Sequence, residues 1–189
     1  MRTRTAGALT LLLAAGTLGA LTGTAGAAPP AGAGTENTTT GSATAFPLVG
    51  GAGVFLTAYD PDGEAPLTVP EVFAGSYECF ADESLPADFR GLGSVSTAGT
   101  TGVTCFADGL PDLTGTLTVD VQWRGRGPAT EQPEPPFPTE CDLRVLIRQA
   151  DVTGSIALEI PALGIDATTD LVGVPGDIRT ALSNCAAPH

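Results

Sequence analysis

Four cysteines, Cys79, Cys105, Cys141 and Cys185, carry the most definite chemistry in this 189-residue chain. The first two open the same tetrapeptide, Cys-Phe-Ala-Asp, at Cys79 to Asp82 and again at Cys105 to Asp108. In an oxidising compartment an even number of thiols implies bridges. Three pairings are open, and Cys79 with Cys105 and Cys141 with Cys185 is the preferred one. Each bridge would close a loop of several tens of residues and contribute about 3 to 4 kcal/mol through chain entropy. A zinc site fails on spacing, because structural zinc uses close pairs such as C-x2-C, often with histidine. The repeated tetrapeptide reads either as two equivalent binding loops or, preferably, as two similar strand ends joined by a disulfide and leaving into similar turns.

Nucleophilic catalysis lacks a base, since the only histidine is His189, the last residue. A Ser-His-Asp or Cys-His system needs one held in place. Carboxylates are plentiful, and a glycosidase needs only a suitably spaced pair. A carboxylate-dependent hydrolase is therefore a third-ranked reading, with no acid singled out. Asp60-Pro61-Asp62-Gly63 has the opening of a calcium loop, but the closing bidentate glutamate is missing at its offset. A turn is the expectation there. Asp82-Glu83 and Asp166 with Asp170 read as solvated acids before weak calcium ligands. The sequence implies no catalytic residue, no metal and no cofactor.

The elements that would position these residues show strand periodicity. Leu117, Val119, Val121 and Trp123 alternate with Thr116, Thr118, Asp120 and Gln122, which places four large apolar side chains on one sheet face. Leu143, Val145 and Ile147 form a second alternating run, and Val152, Ile156, Leu158 and Ile160 belong to a third. Shorter strands are expected over 53–59, 68–73, 76–81 and 102–107. Residues 176–184 fit either a short helix or a last strand. Short strands punctuated by glycine and proline predict an all-β fold, a single antiparallel β-sandwich of roughly eight strands with two disulfides.

At the start of the chain, Arg2 and Arg4 precede an apolar run from Ala6 to Leu21 and a small-residue exit at Ala25-Gly26-Ala27. This is the grammar of a signal peptide over 1–27, followed by a flexible lead-in over 28–42 and the sandwich domain over 43–189. No later run is apolar for long enough to span a bilayer, which takes about 20 residues. The expected location is secreted, extracellular or loosely wall-associated. Without Arg2 and Arg4, six arginines face 21 acids, a net charge of −15. Nucleic acid is thereby an unsuitable partner, because phosphate binding needs clustered cations.

Trp123-Arg124-Gly125-Arg126-Gly127-Pro128 and Arg148-Gln149-Ala150-Asp151-Val152-Thr153-Gly154-Ser155 resemble a pattern in uncharacterised exported β-proteins of actinobacteria. There, W-x-G-x-G-P and R-x-A-x-x-[ST]-G recur in the second half of the chain. The resemblance covers about a third of the expected mature protein and implies an exported β-protein without known activity. It transfers no catalytic residue. The chain has no lysine and is rich in Ala, Gly, Pro and Thr, as expected of a GC-rich actinobacterial genome. Read as architecture, Trp123 belongs in the core and Arg148 pairs with Asp120 or Asp151.

Three functions follow as expectations. The first is a secreted non-enzymatic β-sandwich protein that either binds an extracellular protein or cell-wall component or is itself a cell-envelope or extracellular component. The second is an inhibitor of an extracellular hydrolase, acting through the proline-rich loop Glu131, Gln132, Pro133, Glu134, Pro135, Pro136, Phe137 and Pro138, because proline lowers the entropy lost on binding. The third is the carboxylate hydrolase.

Overall fold

Strict alternation gives each strand an apolar and a polar face, and a sheet of such strands hides the apolar one by curling round it. The computed structural model describes residues 36–132 and 141–185. It contains β1 (Glu36–Ala45), β2 (Leu48–Val49), β3 (Ala52–Asp60), β4 (Leu67–Ala74), β5 (Tyr77–Ala81), β6 (Leu85–Phe89), β7 (Ser94–Phe106), β8 (Leu113–Gly125), β9 (Thr130–Gln132), β10 (Cys141–Ile160) and β11 (Ile165–Cys185), with a 3-10 turn at Pro161–Leu163. All strand pairs are antiparallel and belong to one 11-stranded sheet.

The expectation of an antiparallel all-β fold holds, but not its arrangement as a sandwich of two sheets. Pairing runs from β1 to β3, β4, β5, β7, β8, β10 and β11, and β11 pairs with β1 again. The sheet is bent into a ring. Strands β5 and β6 share the slot between β4 and β7, and β2 and β9 attach to β3 and β10. A sandwich needs a break in the pairing between two separate sheets, and the path from β1 back to β1 has none. Here β10 and β11, at 20 and 21 residues, are long enough to serve the ring and continue beyond it. The two runs read as separate strands around Arg148 and Val152 are one strand, with a register shift between Val152 and Thr153. Gly173 is the extra residue opposite that step, at φ 67°, a β-bulge that bends the hairpin.

Residues 36–42, expected within the flexible lead-in, form most of β1, and Glu36 through Ala45 pair with Cys185 through Gly176. Residues 176–184 are therefore strand, held on both edges. The remainder of the lead-in and the signal segment lie outside the described residues.

The inner face is filled with side chains. Leu56, Leu117, Ile156, Leu158, Ile160 and Ile178 are fully buried there with Trp123, and Trp123 Nε1 donates to the Thr44 carbonyl at 3.0 Å. Threonine hydroxyls satisfy the polar backbone where β5 gives way to β6. Buried Thr101 Oγ1 donates to the Glu83 carbonyl at 3.0 Å and Thr97 Oγ1 to the Pro86 carbonyl at 2.7 Å. Such pairing is what lets a polar group sit in an apolar interior.

Candidate functional site

Since alternation sends every second residue outward, the outer face of each strand is free of packing duties. On β3, β4, β5 and β7 that face carries Phe55, Phe73, Phe80 and Phe106, with Phe46 from the β1–β2 connection lying over it. Phe46 fits because residue 53 is glycine. A Cβ there would stand 2.5 Å from the Phe46 Cζ, closer than packed carbon atoms tolerate. Ring centroids are 6.2 Å apart for Phe46 and Phe55, 6.3 Å for Phe46 and Phe73, and 6.5 Å for Phe80 and Phe106, all within the range of tilted aromatic pairs.

Two carboxylates are set among these rings. Register places Glu71 between Phe55 and Phe80 in one row across the sheet, and Glu78 between Phe73 and Phe106 in the next. Aromatic and acidic side chains thus occupy alternate corners. The rings remain in solvent: Phe46 is 52% exposed, Phe73 39%, Phe80 44% and Phe106 45%, with Leu48 at 66% on the same margin. Exposed apolar groups clustered on one face, when they form patches of more than a few hundred Å², mark interaction sites in monomeric proteins. Among the described residues, Glu71 and Glu78 make no ion pair.

Beneath this face, Cys79 and Cys105 are register partners, fully buried and disulfide-bonded. The repeated tetrapeptide is two adjacent strand ends, as its structural reading expected. Antiparallel pairing at the two cysteines brings Phe80 and Phe106 out on either side of the bridge, and Asp82 accepts from Thr104 Oγ1 at 2.8 Å. Cys141 lies opposite Cys185 in the β10–β11 register, while their side chains lie outside the described residues.

Farther along the same outer surface, Thr40, Ser42, Tyr59, Val145, Arg179 and Ala181 line a groove of about 380 Å³. Its one guanidinium is engaged, since Arg179 binds both oxygens of Asp177 at 2.9 and 3.2 Å. That hydrogen bond raises the Arg179 pKa above its ordinary value. A smaller hollow of about 110 Å³ has Glu159 and Asp166 in its wall, opposite one another across β10 and β11. In this hollow the hydrolase reading meets two facing carboxylates.

The proline-rich loop divides at the limit of description. Glu131 belongs to β9, where Arg144 reaches its two oxygens at 3.0 and 2.9 Å. The hydrogen bond and the charge of Arg144 lower the Glu131 pKa from 4.5. Pro133, Glu134, Pro135, Pro136, Phe137 and Pro138 lie outside the described residues. Elsewhere, Asp60 to Gly63 leads the β3–β4 turn, with Gly63 at φ 77°. Arg148 does not pair with Asp120 or Asp151. It donates to the Gly127 and Leu92 carbonyls at 2.9 and 3.3 Å, and Arg126 takes Asp151 at 3.0 Å.

The aromatic face was missed from sequence, although its signal is present in five phenylalanines within strands or beside them. A phenylalanine in a short strand reads first as core, and which parity faces inward is settled only by the neighbouring strands. Comparison with protein families, with characterised proteins and with solved structures finds no match.

Proposed function

We propose that this is an exported, non-enzymatic binding protein that acts outside the cell or at its envelope through the aromatic outer face of β3, β4, β5 and β7. The observation that carries this reading is the set of exposed rings at Phe46, Phe73, Phe80 and Phe106. They are placed where the fold has no use for them, above a core already filled. The signal-like leader supports export, and the buried Cys79–Cys105 bridge suits an oxidising destination.

The test is co-sedimentation of the mature oxidised protein with isolated envelopes, together with capture from spent medium, for the native protein and the Phe73→Ala/Phe80→Ala variant. Native retention that the variant loses supports the reading. Equal retention, or none by the native protein in either fraction, overturns it.

One observation favours the inhibitor reading as a second possibility: the Glu131–Arg144 pair pins the entry to the proline-rich loop onto β10. Deleting 133–138 would abolish inhibition of a target hydrolase under that reading and leave capture by the aromatic face intact under the first.

A further inference from the structure

Resting on the binding reading, we infer that the occupant of the aromatic face is a basic polypeptide segment. Its lysine or arginine heads lie over the phenylalanine rings and pair with Glu71 and Glu78. Chemistry, spacing and charge distribution each support this.

The chemistry is that of acceptors. Between the rings lie the carboxylates of Glu71 and Glu78, and no side-chain N–H belongs to the face, since its other members are Thr57, Val69 and Thr104. The hydroxyls of Thr57 and Thr104 can donate as well as accept, so it is the two carboxylates that favour a ligand able to donate. Aromatic faces attract cations through the ring quadrupole, and lysine and arginine stems are apolar enough to cover rings while their heads reach a carboxylate.

The spacing suits an extended chain. Glu71 and Glu78 are diagonal neighbours on adjacent strands, an arrangement that sets them about 7 to 8 Å apart. Same-side residues of an extended peptide recur about every 7 Å. Consecutive same-side bases would therefore meet consecutive carboxylates, with a ring beside each.

Charge is distributed accordingly. From Glu36 to Asp120 the chain has twelve acids and one base, Arg90, and Arg90 is turned to Asp88 at 3.4 Å. A second copy is a poor occupant. Two such faces in contact would oppose four carboxylates, and the arginines of the other half are held within their own molecule by Gln122, Asp151, Glu131, Asp177 and the Gly127 and Leu92 carbonyls.

The experiment uses the mature oxidised protein and a fluorescent peptide of alternating arginine and glycine, read by anisotropy at physiological ionic strength. Bulk attraction to an acidic protein is separated by a charge-matched control. Glu71→Gln/Glu78→Gln and Glu159→Gln/Asp166→Asn remove the same charge from opposite parts of the sheet. The expected result is about tenfold weaker binding for the first and for Phe73→Ala/Phe80→Ala. The control should change by under about twofold, because distant charges are screened. Equal weakening in the control overturns the proposal, as does absence of peptide binding by the native protein. If a neutral glucan binds instead and the phenylalanine variant loses it, or if sedimentation shows self-association that this variant abolishes, the face still binds but the basic partner is wrong. Envelope and medium capture unaffected by Phe73→Ala/Phe80→Ala would defeat the binding reading itself.

Discussion

The two halves of the ring are built alike inside and differently outside. On β8, β10 and β11 the outward residues are largely threonine, serine, aspartate and arginine; Asp151 meets Arg126 and Asp177 meets Arg179, Glu159 and Asp166 face one another, and Val172 is an apolar exception. On β3, β4, β5 and the end of β7 the outward residues include Phe55, Phe73, Phe80, Phe106, Glu71 and Glu78 beside Thr57, Val69 and Thr104, with no base among them. The inner faces show no such contrast, since Val54, Leu56 and Val72 on one side and Leu117, Val119 and Ile156 on the other are all buried aliphatics. Folding constrains the inner face of both halves. Folding does not require a difference confined to the outside, which is why the proposed binding face rests on it, and the polar half is what a solvated sheet ordinarily looks like.

The largest effect should come from the shared interior. Trp123→Ala leaves a cavity and strands the Thr44 carbonyl, and is expected to lower unfolding free energy by about 4 kcal/mol in urea titration. A loss below about 1 kcal/mol would mean the ring is not packed around that side chain. Next, Cys79→Ala/Cys105→Ala opens a bridge with a sequence separation of 26. It should cost about 3.5 kcal/mol by chain entropy, read as the difference from the oxidised protein. The aromatic half should lose more binding than the polar half from that change, because the bridge supports Phe80 and Phe106.

Phe73→Ala/Phe80→Ala should cost about 0.5 to 1.5 kcal/mol for each of the Phe46–Phe73 and Phe80–Phe106 pairs beyond the area they cover, less than the interior changes, while abolishing capture. A large stability loss would reassign these rings to the core and erase the contrast between the halves. Smallest is the effect of Glu131→Gln at the polar end. Because Arg144 lowers the Glu131 pKa in the folded state, the pair stabilises above the unfolded value of 4.5 and is lost as pH falls through the lower folded value. Acid denaturation curves of the native protein and this variant should differ above pH 4.5 and converge well below it. Curves that stay parallel into strong acid would show that the pair contributes nothing.

The fold was legible where alternation was strict. Leu117 to Trp123 forms the buried stripe its spacing predicts, and the Cys79–Cys105 pairing follows the repeated tetrapeptide. Closure of the ring was hidden because β11 does not read as one continuous strand: Gly173 and Pro175 sit at its bend, the two residues that most often end strands, and 176–184 beyond them fit a short helix as well as a last strand. The proline is tolerated beside the bulge, where the ladder is already interrupted. β1 was hidden for a different reason. Glu36 to Ser42 is a run of small and polar residues with no apolar period, and it is ordered by β11 rather than by any preference of its own. The aromatic face depended on parity, and a slip of one residue would have turned Phe73 and Phe80 inward.

The pairing of β1 with β11 also sets the order of events in folding. Glu36 faces Cys185 across that seam, so the first described strand waits for the last before its long ladder can form. Chains dominated by such distant contacts fold slowly, on the order of milliseconds to seconds. A nascent chain in transit cannot close its ring until its final strand arrives. If the chain is exported as proposed, that delay keeps the polypeptide unfolded while it is being moved and lets the ring seal afterwards.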